Sequence, residues 1–591
     1  MKKHILTCFL ASLCLYGSTS TAQVADSPGA DFLHRSQPQV SPDPGDSHRG
    51  GAIRPDTLPE KNGLVDHSGQ GQESAGSSAT VGENNQVLIY VELAKKGELD
   101  TLTFETIPFQ VSKLHPNYRQ KEEHVVGRRG NFFEGIDPLL DQLFLFRTVD
   151  YTAPGYFSIK RGEHAFLDNY LVFPGDSIKI RINSTASRIS FAGPDAALFS
   201  CQYQMALAAE EARFNRPARM TTDNPEELLA RGNYRSLYET ARNSFGGHME
   251  LVQYGYEEKE LILREWRTEL EGLAEWEVLE SYRSRISPEA YAILKADLIG
   301  NYRAEILKRF REEMYGMAVR NQDQQFVSEL NGLFLDEFIL PDPVGLSDSA
   351  KSQSSGWLSY HYELAYLKSL TTSTAFTKLV REDYEGDLRA KISLKFLVDK
   401  FQQIPKKTAL INRIAPLMST ADQLGQLEEY SSKYISGVPI QDFKFVDESG
   451  DSYSKEEFRG KLVVFYFWTT GCGASENFYR QSIQQLAGEY QDSDAVELVS
   501  VNGSSDAGTW QKGLSMGHYT SDNMLNLFIG EEAEEWKRNY NIHLFPQLMM
   551  MDAEGRNLEI LYLGQSAGGI QSQIEQAVHR SDLSTLNPGT P

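Results

Sequence analysis

Cysteine is nearly absent from this 591-residue chain, which holds four. Cys8 and Cys14 fall inside the first 22 residues, so removal of a leader would leave Cys201 and Cys472. Two thiols cannot make a disulfide-stapled scaffold. Long apolar runs are also missing. The stretch Ile5 to Tyr16 is shorter than the roughly 20 residues needed to span a bilayer, so no transmembrane segment is expected. Cations are scarce, with 58 Lys and Arg against 81 Asp and Glu and a net charge of −23. Phosphate-backbone binding draws on cations to displace counterions, so nucleic acid is not expected as a partner. His, Cys, Asp and Glu nowhere take metal-ligand spacing, and His248 and His361 stand alone. No metal and no cofactor are expected.

What is present begins with an export pattern. Lys2 and Lys3 precede the apolar core, and small residues follow, with Ser20 and Ala22 at −3 and −1 of a cleavage site before Gln23. Residues 1–22 read as a signal peptide, and a periplasmic protein is expected. A lipid anchor is disfavoured, because Cys14 follows Leu13 where a small residue is needed and Cys8 comes too early. Residues 23–85 are rich in Ser, Pro, Gly, Asp and His, as in Ser41-Pro42-Asp43-Pro44. Such a segment buries too little surface to offset chain entropy and reads as a disordered tail.

A chain this long divides into several domains. From Gln86 the pattern is strand-like. Val87 to Val91, Leu102 to Phe104, Leu143 to Arg147, Gly155 to Ile159 and Asn169 to Phe173 are candidate strands. After the turn Pro174-Gly175-Asp176, Ser177 to Ile182 alternates polar and apolar residues. Residues 86–193 therefore predict a β-sandwich-like domain. Pro194-Asp195 reads as a helix start, and apolar residues then recur at helical spacing, as in Leu261, Leu263, Trp266, Leu270 and Leu273. Residues 194–433 predict an all-α middle region. Its Trp266, Trp276, Tyr282 and Trp357 read as packing between helices.

The pattern changes again after Gly437. Asp442 to Phe445 predicts a strand and Asp447 to Gly450 a turn. Leu462 to Trp468 is a continuously apolar run, as expected of a strand covered on both faces. Cys472 follows at once, and a helix through Phe478, Ile483 and Leu486 comes next. A thiol at a helix N-terminus faces unpaired backbone N–H groups and the positive end of the helix dipole, which favour a thiolate. Val496 to Val501, a helix near Glu532 to Tyr540, the turn Asp552 to Gly555, an edge strand Leu558 to Tyr562 and a closing helix to His579 complete an α/β alternation. Residues 434–580 form this domain, and 581–591 read as a tail.

Pro439, Asp442-Phe443, Asp447 with Gly450, Gly460-Lys461, Phe467-Trp468 and Cys472, then Tyr540, Ile542, Pro546, Asp552 and Gly555, occur in an order that resembles the TlpA/ResA group of exported thioredoxin-like proteins. The similar stretch runs roughly from Val438 to His579. The layout also resembles multi-domain members from Bacteroidota, and Leu171 to Ile178 is similar to their β-domains. The fold implied is a C-terminal α/β thioredoxin-like domain. The resemblance places Cys472 at the nucleophile and Pro546 at the cis-proline. Trp468, Phe545 and Pro546 would meet an extended substrate segment. Ser475 falls where the family has its resolving cysteine, and a serine cannot exchange disulfides. Gly471, Ala474, Phe478 and Arg480 also replace family residues.

Two functions follow as expectations. The first is a monothiol Cys-x-x-Ser thiol-disulfide oxidoreductase acting on envelope protein thiols or disulfides. The second is a non-catalytic envelope binding module on the same fold. A Cys201–Cys472 disulfide is a third, narrower reading, and needs Cα atoms within about 7 Å. Substrate, redox partner and oligomeric state have no signature in the residues.

Overall fold

The computed structural model describes residues 85 to 586, apart from 96–97, 110, 112–119, 131–140, 163, 184–187, 245–248, 341–344, 401–403, 405–406, 435, 505, 531–533, 541, 543–544 and 560–565. The expected signal peptide and nearly all of the expected tail 23–85 lie outside these residues.

The N-terminal region is β-rich. Its strands are β1 (Gln86–Ala94), β2 (Thr101–Ile107), β3 (Lys121–Val126), β4 (Arg128–Arg129), β5 (Asp141–Asp150), β6 (Gly155–Arg161), β7 (His164–Val172), β8 (Ser177–Asn183) and β9 (Arg188–Ala192). They form two sheets, in the orders β4-β5-β1-β8-β9 and β3-β2-β6-β7. Alternation drives the packing. In β8, Ile178, Ile180 and Ile182 are buried while the residues between are half-buried. Val87, Ile89 and Val91 from one sheet join Leu102, Phe104 and Phe157 from the other in one core. Helix α1 (Ala196–Asn215) closes it with Leu198, Phe199 and Cys201.

The middle region is mostly helical. It includes α2 (Tyr256–Trp266), α3 (Pro288–Arg309), α4 (Ser355–Thr372), α5 (Gly386–Lys400), α6 (Lys407–Ile414) and α7 (Ala421–Tyr434). The all-α expectation needs one correction. Ala218–Thr222 (β10) and Met249–Gln253 (β11) pair in parallel as a two-stranded sheet. Each strand is five residues long and set among helices, too short for its period to show against its neighbours. Helices α3 and α4 cross at Gly300 and Gly356. A Cβ on Gly300 would lie 2.2 Å from the carbonyl carbon of Gly356, so only glycine fits there. Beside this crossing Asp297 accepts from Tyr156 Oη (2.9 Å), Ser354 Oγ (2.7 Å) and the Gly356 N–H (2.8 Å). Tyr156 comes from β6, so this half-buried carboxylate ties the β-rich region to two helices.

The C-terminal sheet contains β12 (Phe445–Val446), β13 (Ser452–Tyr453), β14 (Leu462–Trp468), β15 (Val496–Asn502), β16 (Leu525–Phe528), β17 (Gln547–Met551) and β18 (Asn557–Glu559). Their order is β13-β12-β16-β15-β14-β17-β18. The first strand is shorter than expected, because only Phe445 and Val446 enter the ladder. Strands β14, β15 and β16 are parallel and adjacent, and β17 runs antiparallel to β14. Two right-handed crossovers stepping the same way put their helices on one face. These are α8 (Gly473–Phe478), continued by a wide turn and a further helix to Tyr490, and α9 (Ala507–Met516). The connection from β16 returns through α10 (Glu534–Asn539) on the other face. The closing helix, α11 (Ala567–Leu586), joins the first face and runs past the expected end at 580. All seven residues of β14 are buried.

The second face is covered differently. Phe443, Phe445, Phe465, Val501 and Met549 share a cluster with Trp536 of α10, but also with Leu394, Leu397, Ile411 and Tyr430 of the middle region. Phe109 and Val111, just after β2, enter the same cluster. No helix among the described residues is long and apolar enough to cross a membrane.

Candidate functional site

The site is built at the end of β14. Strand β14 stops at Trp468, and the chain turns through Thr469 to Gly471. Gly471 holds φ +86°, a conformation that side-chain-bearing residues rarely adopt. Cys472 then caps the helix that starts at Gly473. Its Sγ accepts from the Ser475 N–H at 3.4 Å and donates to the Phe545 carbonyl oxygen at 3.5 Å. Both partners of the thiol are backbone groups. The thiol is half-buried and free.

Three supports hold this loop. Tyr519 Oη accepts from the Gly471 N–H at 3.0 Å. The Tyr519 ring stacks on Trp468 with centroids 5.0 Å apart and planes 5° from parallel. Thr470 Oγ1 donates to the Thr509 carbonyl at 2.9 Å. Beneath the loop, Tyr466 Oη donates to the Ser475 carbonyl at 3.0 Å. Burial raises the Tyr466 pKa well above its ordinary value, with Cys472 adding to the effect, so its hydroxyl stays a donor.

The residues singled out by sequence take different places. Cys472, Ser475 and Phe545 meet at the thiol. Phe545 and Pro546 are joined by a cis peptide bond. The Phe545 ring packs over Gly503, where a Cβ would lie 2.3 Å from Cζ. Pro546 is buried and Phe545 half-buried. Trp468 is fully buried, with Nε1 donating to Ser500 Oγ at 2.8 Å. It supports the loop from beneath. Ser475 is also fully buried, and its Oγ has no hydrogen-bond partner. A hydroxyl there cannot accept a sulfur from Cys472, so the site offers one sulfur nucleophile and no second.

The Cys201–Cys472 disulfide is absent, and both thiols are free. Cys201 is packed in the core of the β-rich region, where burial pushes its thiol up to about 12. Such a thiol stays protonated and unreactive. Sequence reasoning missed Tyr519, Tyr466 and Gly503. Tyr519 carries no local signal, lying in the polar stretch Gly517-His518-Tyr519-Thr520-Ser521. Gly503, directly after the strand-like run Val496 to Asn502, had the better one, since a glycine ending a strand marks close approach. Among the described residues no group of His, Cys, Asp and Glu could hold a metal ion.

No protein-family model matches this chain, and no curated protein does. Solved structures do. The thioredoxin domain of a thiol-disulfide oxidoreductase from Bacteroides vulgatus is 17% identical, covers 24% of this chain and 98% of that one, and has a TM-score of 0.22. A thioredoxin-like protein from Bacteroides caccae is 14% identical over 43% of this chain and 93% of that one, at 0.28. A putative thiol:disulfide interchange protein from Chlorobium tepidum is 20% identical over 25% of this chain and 99% of that one, at 0.22.

Proposed function

We propose that this protein is an exported, periplasmic thiol-disulfide oxidoreductase of monothiol type, with Cys472 as nucleophile. The observation that carries the reading is the position of Cys472 Sγ between the Ser475 N–H and the Phe545 carbonyl, half-open to solvent, with a buried serine where a second thiol would be needed.

The chemistry is a pair of exchanges. The Cys472 thiolate attacks one sulfur of an envelope protein disulfide. The old S–S bond breaks, a mixed disulfide with Cys472 forms, and the other substrate sulfur leaves as a thiolate. The Ser475 N–H stabilises negative charge on Sγ before attack. Ser475 offers no internal thiolate for the second exchange. A thiol from solution or from a partner protein attacks the mixed disulfide and returns Cys472 to its thiolate. Phe545 and Pro546 would form the wall along which an extended substrate segment lies.

The test uses a small aromatic disulfide that releases a coloured thiolate. Wild type should release one equivalent and stop, leaving an adduct of matching mass on Cys472. Cys472→Ser should release none. Ser475→Cys should release a second equivalent by expelling the bound thiol. A Cys472 that reacts no faster than free cysteine at pH 7 would overturn the reading and leave the binding-module alternative.

A further inference from the structure

A large cleft lies away from Cys472. It measures about 1750 Å³ and is bordered by α1, β10, α2 and α3. One wall is strand β10. Its Ala218, Arg219, Met220 and Thr221 all line the cleft, whereas β11 contributes Val252 alone. The sheet has two strands, so the edge of β10 away from β11 carries no paired strand among the described residues. An open edge of this kind is a template for another strand.

Helix α1 adds exposed apolar side chains to the lining. Phe214 of α1 is 73% exposed and Leu207 is 40% exposed. The charge balance is one-sided, with ten Asp and Glu and five Arg along the lining. Two of those arginines are already engaged inside the protein. Arg219 pairs with Glu250 (3.2 Å) and Glu265 (2.6 Å), and Arg309 pairs with Glu265. Glu258 is left short. It is 4% exposed, Oε1 accepts from Thr221 Oγ1 at 3.1 Å, and Oε2 has no hydrogen-bond partner. Burial raises both Glu258, to about 7, and the neighbouring Glu313. Arg309 offsets part of this for both groups, and Glu313 stands exposed beside the buried Glu258, so a cation brought along the cleft meets a carboxyl at its surface and an unsatisfied one behind it.

We propose that this cleft binds an extended segment of a partner polypeptide as a third strand along β10, with a Lys or Arg of that segment reaching Glu258 and Glu313 and its apolar residues meeting Leu207 and Phe214. Thr221 fixes the register, because it lies on β10 and touches Glu258 itself. Side chains of an added strand alternate, so a basic residue at the Thr221 level puts apolar residues at the levels on either side, facing the opposite way. The occupant is thus a short β-forming segment in which basic and apolar residues alternate. This surface stands independently of the Cys472 chemistry.

The test measures fluorescence anisotropy of the full chain with a labelled Val-Lys-Val-Arg-Val-Lys-Val peptide. Saturable binding is expected. The Glu258→Gln/Glu313→Gln pair should weaken it about tenfold or more. Phe214→Ser, at an exposed position that does not bear on folding, should weaken it severalfold. Cys472→Ser should bind as wild type does, which separates this surface from the redox reading. The same peptide N-methylated at alternate residues should lose binding, since it cannot complete the ladder. Absence of saturable binding would overturn the proposal. So would equal affinity for the N-methylated probe, an unchanged affinity in the double Gln variant, or binding that merely competes with self-association of the chain.

Discussion

The two faces of the C-terminal sheet are covered by different means. One face is closed by helices that follow its own strands, with Tyr479, Ile483, Trp510, Ile570 and Ile574 in a single cluster. The other carries Phe443, Phe445, Phe465, Val499 and Met549, and among the described residues the sheet's own connections give it chiefly the short helix α10 and Phe458 of the short turn before β14. The missing cover arrives from Leu394, Leu397, Leu410, Ile411 and Ile414, well back along the chain. A domain that reads as self-contained in sequence is thus half-finished without its predecessor.

The strongest way to break this comparison is to express residues 434–586 alone. The bare second face should cost several kcal/mol of burial, since each fully buried large side chain contributes about 1.5–3 kcal/mol. The fragment should bind a hydrophobic dye and melt without a sharp transition. A cooperative melt at the full-length temperature would show that the face closes on itself.

Single truncations sharpen the same contrast. Leu397→Ala and Ile570→Ala should each destabilise by about 2–5 kcal/mol. Calorimetry should separate them. Leu397→Ala should lower the transitions of the middle and C-terminal regions together, and Ile570→Ala that of the C-terminal region first.

The middle region also carries a pH response from Glu258. Its folded value near 7 exceeds the ordinary 4.5 because burial opposes charge. The stability it contributes is fully present below about 4.5 and is lost as pH rises through about 7. Between pH 5 and 8 denaturant titration should show a loss of about 1–3 kcal/mol, and Glu258→Gln should flatten it. An unchanged slope in that variant would move the response elsewhere.

The smallest effect lies under the first face. The Ser475 hydroxyl is buried with no partner, so Ser475→Ala should leave stability unchanged or raise it by about 1 kcal/mol. A clear drop in melting temperature would mean that the hydroxyl has a partner in solution.

Much of the near face was legible. Leu462 to Trp468 declared a doubly covered strand, and Cys472 followed it at a helix start. The cover of the far face was not legible. The periodicity of residues 386–434 shows that they form helices, and nothing in a helical period states which sheet the apolar stripe will meet. Strands β10 and β11 were lost among helices because five residues give too little period. Trp468 was named for substrate contact through the resemblance, although its strand already read as covered on both faces, because a motif fixes order along the chain and not the direction in which a side chain points. Tyr519 was invisible for the converse reason, since its role is a contact across 48 positions with Gly471.

The crossing of Gly300 and Gly356 has a mechanical consequence. Two helix backbones in direct contact cannot slide by a fraction of a turn without collision, and Asp297 bolts the same point to Tyr156 of the β-rich region. The joint therefore has no play. A pull on one helix is passed to the other and to β6 as displacement and is not absorbed as slack. At that point α3, α4 and β6 form one locked joint.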